Sequence, residues 1–342
     1  MNFRFVLFIF SVVVLASCSG DNVEITSRNF TDEVQREQNL SFTFDKPLMP
    51  DSVLTYNWDT TSFITFTPSI RGKFKWNSPT ELVFSPSKGF KPSTDYKGQL
   101  SEIILQYAHK KLKLSDENTF FFHTPYLTLI DATPFWVKSI KNPSQVALQL
   151  RLNFTENVNP QDLANVLHIQ LDGKDAIFEL PSSTVDKSIQ VIIENPPSGT
   201  AELPVKVFVD KGLRCVESDY STKNPFELLF DAPSRDKIQI VQVSTGFEDE
   251  KQAIEILTTQ SVDNLDIQSL ISVNPTTKFT AETMEYGLIV KGDFKIGTTY
   301  ELTVSGKLKG IVGGEMQQDY KQYVQFGELR PSITFTSQKA VY

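Results

Sequence analysis

A pattern that recurs about every hundred residues constrains the fold of this chain more than any other feature. Residues 44–50 (FDKPLMP) match residues 154–160 (FTENVNP), and these in turn match residues 259–265 (TQSVDNL). The spacings are about 110 and about 104 residues, which is the length of a small domain. In each copy a run of alternating side chains ends and a turn begins. The 342-residue chain is therefore predicted to contain three copies of one unit.

A second pair of segments repeats at about twice that spacing. Residues 90–96 (FKPSTDY) match residues 294–300 (FKIGTTY), whereas the middle copy is weaker, with residues 198–203 as its counterpart. Each unit also closes on an aromatic strand, at residues 120–123, 226–230 and 320–326.

Alternation with a period of two dominates the chain, and helical spacing is scarce. Residues 40–44 (LSFTF) and 146–154 (VALQLRLNF) are typical of half-buried strands, and turn residues such as Asp172-Gly173 separate such runs. Short alternating strands in a unit of about a hundred residues indicate an immunoglobulin-like β-sandwich, in which two antiparallel sheets bury their apolar faces. We predict an all-β chain of three tandem immunoglobulin-like β-sandwich domains.

Proline marks the expected domain boundaries, near Pro125 and Pro233. The predicted sandwiches span residues 37–125, 126–233 and 234–329, and the short connections between them predict limited bending. Tyr96 and Tyr300 are expected to pack at the corner that leads into a strand, with the hydroxyl capping nearby backbone. We expect these tyrosines to have a structural role rather than a ligand-binding one.

The first residues predict the compartment. Residues 1–17 form a secretory signal, because the apolar stretch at residues 5–15 is far shorter than the roughly 20 residues needed to span a bilayer. Residues 15–18 (LASC) resemble the lipobox of bacterial lipoproteins, in which an aliphatic and two small residues precede a lipidated cysteine. Cys18 is therefore the predicted lipidation site. The alternative is an ordinary secretory signal with an incidental cysteine.

A lipid on Cys18 would make the membrane the first partner of the mature chain, without a spanning helix. Residues 18–36 are then expected to be a lipidated tether, in the cell envelope of a Gram-negative bacterium. The acidic Asp21 beside the anchor leaves the periplasmic face and the cell surface both open. The other cysteine, Cys215, is expected to be a buried or partly buried thiol rather than half of a disulfide.

Several segments of the chain resemble segments of a known protein family. Residues 40–53 and 82–96 resemble the bacterial immunoglobulin-like domain of surface-layer proteins. A lipobox followed by that domain and two divergent copies resembles the N-terminal region of a bacterial alpha-2-macroglobulin-like lipoprotein. Residues 332–342 resemble the opening strand of the next macroglobulin domain, so residues 330–342 are predicted to be the first strand of a missing following domain.

The resemblance implies a protease trap, in which a bait segment is cut, the molecule rearranges and, in many members, a Cys-x-x-Gln thioester captures the protease. Residues 215–218 (CVES) depart from that element, because Ser218 stands where glutamine must supply the acyl group. No thioester can form there, and no bait segment is identified. The resemblance thus implies a membrane-anchored, non-enzymatic scaffold arm of a protease inhibitor, with proteases as partners through the missing remainder.

The sequence has few features that would support catalysis, metal binding or nucleic-acid binding. The net charge is −8 and basic runs are short, so nucleic acid is not an expected partner. His109, His123 and His168 are the three histidines, and none has a second ligand at metal spacing. No nucleotide-binding or nucleophile motif occurs, so we expect no cofactor, no metal site and no enzymatic activity. A hydrolase that uses these histidines is the disfavoured alternative.

Two further features leave alternatives open. The acidic residues 248–250 (EDE) would supply oxygen ligands for calcium, but they lack the spacing of a calcium loop and favour a solvated hairpin turn. Trp58, Trp76 and Trp136, together with the phenylalanines at 120–122, would offer aromatic surface to a glycan, although alternation explains them as core. The alternative function is accordingly a cell-envelope immunoglobulin-like adhesin or glycan-binding lipoprotein.

Overall fold

The chain is almost entirely β-structure. The structure is a computed structural model that describes residues 21–108, 112–115, 118–197, 201–263 and 266–327. Within these residues there are 23 strands, one α-helix, α1 (Pro160–Ala164), and two short 3-10 helices, Glu102–Leu105 and Ile267–Leu270. The chain divides into two compact units, Met1–Tyr126 and Leu127–Tyr342. The predicted all-β class of tandem immunoglobulin-like sandwiches is confirmed.

The first unit contains one sandwich. Its strands are β1 (Asn22–Val23), β2 (Ile25–Arg28), β3 (Leu40–Phe44), β4 (Ile64–Thr67), β5 (Gly72–Ser78), β6 (Glu81–Pro86), β7 (Asp95–Leu100), β8 (Lys113–Leu114) and β9 (Thr119–His123). One sheet has the order β2-β3-β6-β5 and the other β4-β7-β9, and β1 pairs with β8 in parallel. This is the two-sheet strand order of a seven-stranded immunoglobulin fold.

The core of the first unit is built from aromatic rings. Along β3 the predicted alternation is observed: Leu40, Phe42 and Phe44 are buried, while Ser41 and Thr43 lie on the other face. Rings from both sheets meet between them, and the Phe42 and Phe120 centroids lie 5.0 Å apart. The rings of Phe66 and Phe84, at 4.7 Å, make a second such contact. The large stock of phenylalanine in the sequence is therefore concentrated in this sandwich.

The structure differs from the expected tether over residues 21–36. Strands β1 and β2 lie in this segment, and Val23, Phe30 and Val34 are buried in the core of the first sandwich. The backbone amide of Val34 donates to the carbonyl of His123 at 2.9 Å. Only Val23 and Ile25 alternate here, which is too short a run to predict a strand, and the apolar residues of this segment are buried through long-range pairing.

The second unit begins with a sandwich formed by β10 (Leu129–Lys138), β11 (Val146–Val158), β12 (Leu167–Leu171), β13 (Lys174–Asp175), β14 (Asp186–Glu194), β15 (Leu203–Val209) and β16 (Phe226–Ala232). Its sheets have the orders β10-β11-β14 and β13-β12-β15-β16. A two-way backbone bridge between Glu179 and Ile192 takes the place of the fourth strand beside β14. The helix α1 begins where Asn159 Oδ1 accepts the amide of Gln161 at 2.9 Å, with Pro160 in its first turn.

The third sandwich follows in the same unit, with β17 (Ile240–Glu248), β18 (Lys251–Thr258), β19 (Ile271–Asn274), β20 (Phe279–Met284), β21 (Gly287–Gly292), β22 (Thr299–Val304) and β23 (Tyr320–Gln325). Its sheets have the orders β17-β18-β21-β20 and β19-β22-β23. These orders repeat those of the first sandwich strand for strand. The second and third sandwiches have separate hydrophobic cores. The domain boundaries proposed from proline positions stay a prediction.

The two repeated tyrosines do what their sequence context predicts. Both are buried near the start of the strand that follows the turn, in β7 and β22. The Tyr96 hydroxyl accepts the backbone amide of Lys91 at 2.8 Å, and the Tyr300 hydroxyl accepts that of Lys295 at 2.9 Å. The predicted capping of local backbone is therefore confirmed in both copies, and each is a tyrosine corner. In the second sandwich the first buried residue of the corresponding strand is Leu203.

Candidate functional site

Several residues singled out in the sequence lie outside the described part of the chain. These are Cys18 with the signal segment, His109, and residues 330–342, which were predicted to be a strand of a following domain. The lipidation of Cys18 stays a prediction. Within the described residues, no helix has the length and apolar character that a membrane span requires.

The two described histidines are held by structural contacts. His123 ends β9, where its ring stacks on Tyr126 with centroids 4.3 Å apart, and the Tyr126 hydroxyl donates to Asp95 Oδ1 at 2.5 Å. Burial raises the pKa of Tyr126 to about 12, with further contributions from the carboxylates of Asp95 and Glu33. His168 lies on an exposed sheet face with Nε2 3.0 Å from Asp210. Among the described residues, no group of three or more histidine, cysteine or acidic side chains is arranged to hold a metal ion.

Cys215 is buried in the core of the second sandwich, as the sequence predicted. The segment around it bridges Val158 at the end of β11, and the amide of Val216 donates to the carbonyl of Asn157 at 3.0 Å. Ser218 is also buried, and its hydroxyl oxygen accepts the amide of Tyr220 at 3.0 Å. This segment therefore packs as part of the sandwich.

Of the acidic residues 248–250, Glu248 ends β17, and Asp249 and Glu250 form the turn to β18. Asp249 and Glu250 both have positive φ, 49° and 63°, as a two-residue hairpin turn of this kind requires. Lys291 reaches across from β21, with Nζ 2.6 Å from Asp249 and 3.6 Å from both Glu248 and Glu282. The carboxylates therefore surround a lysine ammonium, which is the arrangement of a charged hairpin rather than of a calcium loop.

The three tryptophans do not share one environment. Trp76 and Trp136 are buried in their sandwiches, and only Trp58 is well exposed, with the Lys75 ammonium 5.9 Å from its ring centroid. Phe120 and Phe122 point into the core of the first sandwich, whereas Phe121 faces outward and is 67% exposed. The alternation explanation is therefore correct for these phenylalanines.

Two shallow depressions of about 350 and 380 Å³ lie on the outer face of the sheet β13-β12-β15-β16. Several of their polar side chains are already paired with neighbouring side chains. Gln170 donates to Asp175 at 2.8 Å, and Lys206 lies 3.0 Å from Glu227. Paired surface groups of this kind leave no convergent set that would act on a substrate.

The most tightly built polar and aromatic constellation lies where the second and third sandwiches meet. Phe135, on the outward face of β10, and Tyr286, between β20 and β21, are both buried, with ring centroids 4.4 Å apart. The Arg151 guanidinium lies 5.0 Å from the Phe135 centroid and 5.2 Å from that of Tyr286. Burial, followed by the neighbouring Glu285 carboxylate, raises the pKa of Tyr286 well above its usual range, so its hydroxyl stays protonated.

Backbone pairing continues this contact. The Trp136 amide donates to the carbonyl of Thr259 at 2.8 Å, and its indole Nε1 donates to the carbonyl of Pro233 at 2.7 Å. Trp136 also bridges Gln260 in parallel. Gln149 is buried beside this contact and hydrogen-bonds Tyr286. We use the term joint for the residues Phe135, Trp136, Gln149 and Arg151 of the second sandwich with Thr259, Gln260 and Tyr286 of the third.

Gln260 is the most completely enclosed polar residue of the joint. Its Nε2 donates to the carbonyls of Arg235 and Lys237, and its Oε1 accepts the amide of Gly314 at 3.1 Å. A β-carbon at Gly310 would lie 2.0 Å from Gln260 Oε1, so this close approach requires glycine. One side chain thus connects the segment that enters the third sandwich with the loop between β22 and β23.

Sequence patterns alone missed the joint. Phe135 and Tyr286 are far apart in the chain, and each occupies a position outside the alternating core pattern. One local signal existed: Phe135 and Trp136 are adjacent in one strand, so one of the two rings has to face away from the core. That outward ring marks a contact with something beyond its own sandwich.

Comparison with known proteins gives a partial match. No family model matches the chain. Alpha-2-macroglobulin of Pasteurella multocida is 26% identical over 156 residues, which is 44% of this chain and 8% of that protein. The chain thus spans a small fraction of the curated relative it matches. The resemblance to bacterial alpha-2-macroglobulin predicted from the sequence is confirmed at this level.

Two solved structures are similar to the chain at lower levels. A structure of Escherichia coli alpha-2-macroglobulin spanning domains MG0-NIE-MG1 is 12% identical, covers 84% of this chain and 96% of that one, and gives a TM-score of 0.22. SGBP-B of the Bacteroides ovatus mixed-linkage glucan utilization locus, in complex with a mixed-linkage heptasaccharide, is 13% identical, covers 90% of this chain and 71% of that one, and gives a TM-score of 0.28. Scores this low carry no argument about function.

Proposed function

We propose that this chain, part of which is similar in sequence to a bacterial alpha-2-macroglobulin, is the membrane-anchored and non-enzymatic scaffold arm of a protease trap of that kind. The observation that carries the proposal is the 26% identity over 156 residues with the Pasteurella multocida protein. The chain spans 8% of that protein. The capture of proteases is therefore assigned to other parts of the trap, and holding it is assigned to this arm.

The described residues suit a holding role. Their conspicuous polar groups serve the fold: Tyr96 and Tyr300 cap backbone, Lys291 neutralises a hairpin, and Gln260 ties two segments of one sandwich together. Tandem β-sandwiches keep their shape through long-range strand pairing, so a pull on one end is carried through the sheets. An arm that tethers a large trap needs that property more than it needs a reactive group.

The anchor in this proposal is a lipid on Cys18. Acyl chains on the cysteine would hold the arm at a membrane without a spanning helix, by burying their methylene groups in the bilayer. The expected place is the cell envelope of a Gram-negative bacterium, at the periplasmic face or the cell surface. Proteases are the expected partners of the trap, and the membrane is the expected partner of the arm.

Fractionation of cells tests anchor and trap together. Cells that produce the natural polypeptide, or its Cys18→Ser variant, are labelled with radioactive palmitate, broken open and treated with trypsin. The membrane and soluble fractions are then assayed for trypsin that cleaves a small peptide but is shielded from a large protein. In wild type we expect the label and the shielded trypsin in the membrane fraction. In Cys18→Ser we expect the label to be lost and the shielded trypsin to become soluble in equal amount.

Cys215→Ala is the matched control, since it removes the buried cysteine and should leave both label and location unchanged. If Cys18→Ser keeps its label or stays with the membrane, the anchor is wrong. If wild type shows no shielded trypsin in any fraction, the protease trap is wrong while the anchor stands. The two parts of the proposal therefore fail separately.

A further inference from the structure

The joint contains side chains that neither sandwich buries by itself. Phe135 and Tyr286 are both buried, yet they belong to neither hydrophobic core, and each is covered by the other ring and by Arg151. An aromatic side chain buries about 150 to 250 Å². Moving the two sandwiches apart would return both rings to water and would take Arg151 away from both π-faces.

The segment that connects the two sandwiches is held by hydrogen bonds and by one buried side chain. Pro233 accepts the indole N–H of Trp136, Arg235 and Lys237 give their carbonyls to Gln260, and Ile238 is buried in the third core. The Thr259 amide donates to the carbonyl of Gln239 at 2.9 Å, while the Thr259 carbonyl accepts from Trp136. The backbone of the connection is therefore hydrogen-bonded at several points, which restricts bending there.

The loop between β22 and β23 extends the contact to the core of the second sandwich. Val312 in this loop packs against that core, although it belongs to the third sandwich in the chain. Gln260 holds the same loop through the Gly314 amide. Opening of the third sandwich would thus withdraw Val312 from the second core, and opening of the second would remove Phe135 and Arg151 from Tyr286 of the third.

We propose that the second and third sandwiches open and unfold as one cooperative unit, coupled through the joint, where Gln260 holds the loop that places Val312 against the second core. Tandem domains move relative to one another by default when their interface is small and polar. Here aromatic burial, strand-like pairing and a shared loop act at one place, so the two sandwiches respond to load as a single body. The inference concerns the described residues 127–327 and does not depend on the protease-trap proposal.

Hydrogen exchange of the full chain, read by mass spectrometry on peptides, tests the coupling. Leu150→Ala removes a fully buried side chain from the second core only. We expect the slowest amides of β11 and β14 to lose protection about thirtyfold or more. The slowest amides of β18, β21 and β22 in the third sandwich should lose protection by the same factor. Leu302→Ala, in the third core, should give the reciprocal result.

Leu229→Ala is the matched control, because Leu229 is 69% exposed, and it should change neither set of amides. If Leu150→Ala does not fold, Ile193→Val makes a smaller change in the same core and should lower protection about threefold to tenfold in both sandwiches. Loss of protection confined to the substituted sandwich, in either variant, overturns the proposal.

The role of Gln260 is tested in the same way. In a Gln260→Ala background, a core substitution in the second sandwich should lower protection there and leave the third sandwich unchanged. Gln239→Ala, which alters an exposed glutamine of the same segment, should preserve the equal losses. If equal losses also persist in Gln260→Ala, the coupling does not depend on Gln260.

Discussion

The first and second sandwiches have closely related strand orders but different cores. Among the described residues, the buried cluster of the first contains twelve aromatic side chains, and that of the second contains two, Trp136 and Phe154. The second cluster is filled instead by leucine, isoleucine and valine on β11, β12, β14 and β15. The same topology is therefore compatible with ring packing or with branched aliphatic packing. What both sandwiches share is an inward apolar residue at every second position of their inner strands, such as β3 and β15.

The difference extends to how each sandwich secures its corner. The first and third use a buried tyrosine whose hydroxyl accepts a backbone amide, next to Phe90 or Phe294 at 5.4 and 5.2 Å between centroids. The second has Leu203 at that point of its strand. It has in addition the joint, through which it shares buried rings with the third sandwich. The second sandwich thus has no corner tyrosine, but it has stabilising contacts with the third sandwich at the joint.

Deleting a ring from the aromatic core should give the largest effect. Phe42 is fully buried and contacts Phe30 and Phe120, with centroids 5.7 and 5.0 Å away. We expect Phe42→Ala to lower the free energy of unfolding of the first sandwich by about 3 to 5 kcal/mol, because it leaves a cavity and removes two ring contacts. Urea-dependent hydrogen exchange of β3 and β6 peptides measures this loss.

The control for that variant lies in the same sandwich. Phe121 is 67% exposed, so Phe121→Ala should change stability by no more than about 0.5 kcal/mol. A cost for Phe42→Ala below about 1 kcal/mol would mean that the ring cluster collapses around the gap, and the aromatic core would then be as adaptable as the aliphatic one.

Removing a corner tyrosine hydroxyl should lower stability by a smaller amount. This loss applies to the first and third sandwiches only, because the second has no such tyrosine. Tyr96→Phe and Tyr300→Phe each remove a hydroxyl that accepts one backbone amide, at 2.8 and 2.9 Å. Each should lower the stability of its own sandwich by about 1 kcal/mol, since one hydrogen bond is lost and the ring packing stays. Exchange of peptides from β7 and β22 measures the two losses, which should be equal.

Tyr56→Phe is the control, because Tyr56 lies in a loop of the first sandwich and is 59% exposed. It should have no measurable effect on β7. If Tyr96→Phe is costly and Tyr300→Phe is neutral, the two corners are alike in geometry but not in energy, and the comparison of outer with middle sandwiches would need another basis.

The sequence predicted these corners because the residues that make them are close together in the chain. Residues 90–96 and 294–300 each contain both the ring and the turn, so a local match was sufficient. The alternation in β3 and β11 likewise predicted which faces are buried. Period and turn chemistry are local properties, and they predicted the class and the repeat.

The parts that the sequence did not predict depend on long-range pairing. Val23 and Ile25 alternate with polar residues over too short a run to predict a strand, and they are placed by β8 and β3. Gln260 looked like an ordinary polar residue in a turn, and its burial follows from the fold of the loop that contains Gly310 and Gly314. Contacts between residues distant in sequence leave no periodic trace, so the joint became visible only in three dimensions.

The smallest expected effect concerns the charged hairpin of the third sandwich, which has no counterpart among the ring contacts of the first. The hydrogen bond to Asp249, followed by the charges of Asp249, Glu248 and Glu282, raises the pKa of Lys291 from 10.5 to about 12. A folded-state pKa above the unfolded one means that the ammonium favours the folded state below pH 10.5. This contribution is lost as the pH rises through about 12.

Titration of the lysine side chains by carbon-detected NMR measures that pKa in the full chain. Asp249→Asn removes the closest carboxylate, at 2.6 Å, and should move the titration midpoint of Lys291 down toward 10.5. Glu250→Gln, one residue further along the turn, is the matched control and should leave the midpoint in place. Because the three carboxylates are well exposed and screened by water and salt, the gain in stability should be small and should shrink further in 1 M NaCl. An unchanged midpoint in Asp249→Asn would mean that solvent, rather than this carboxylate, sets the protonation of Lys291, and the hairpin would then be held by its backbone turn alone.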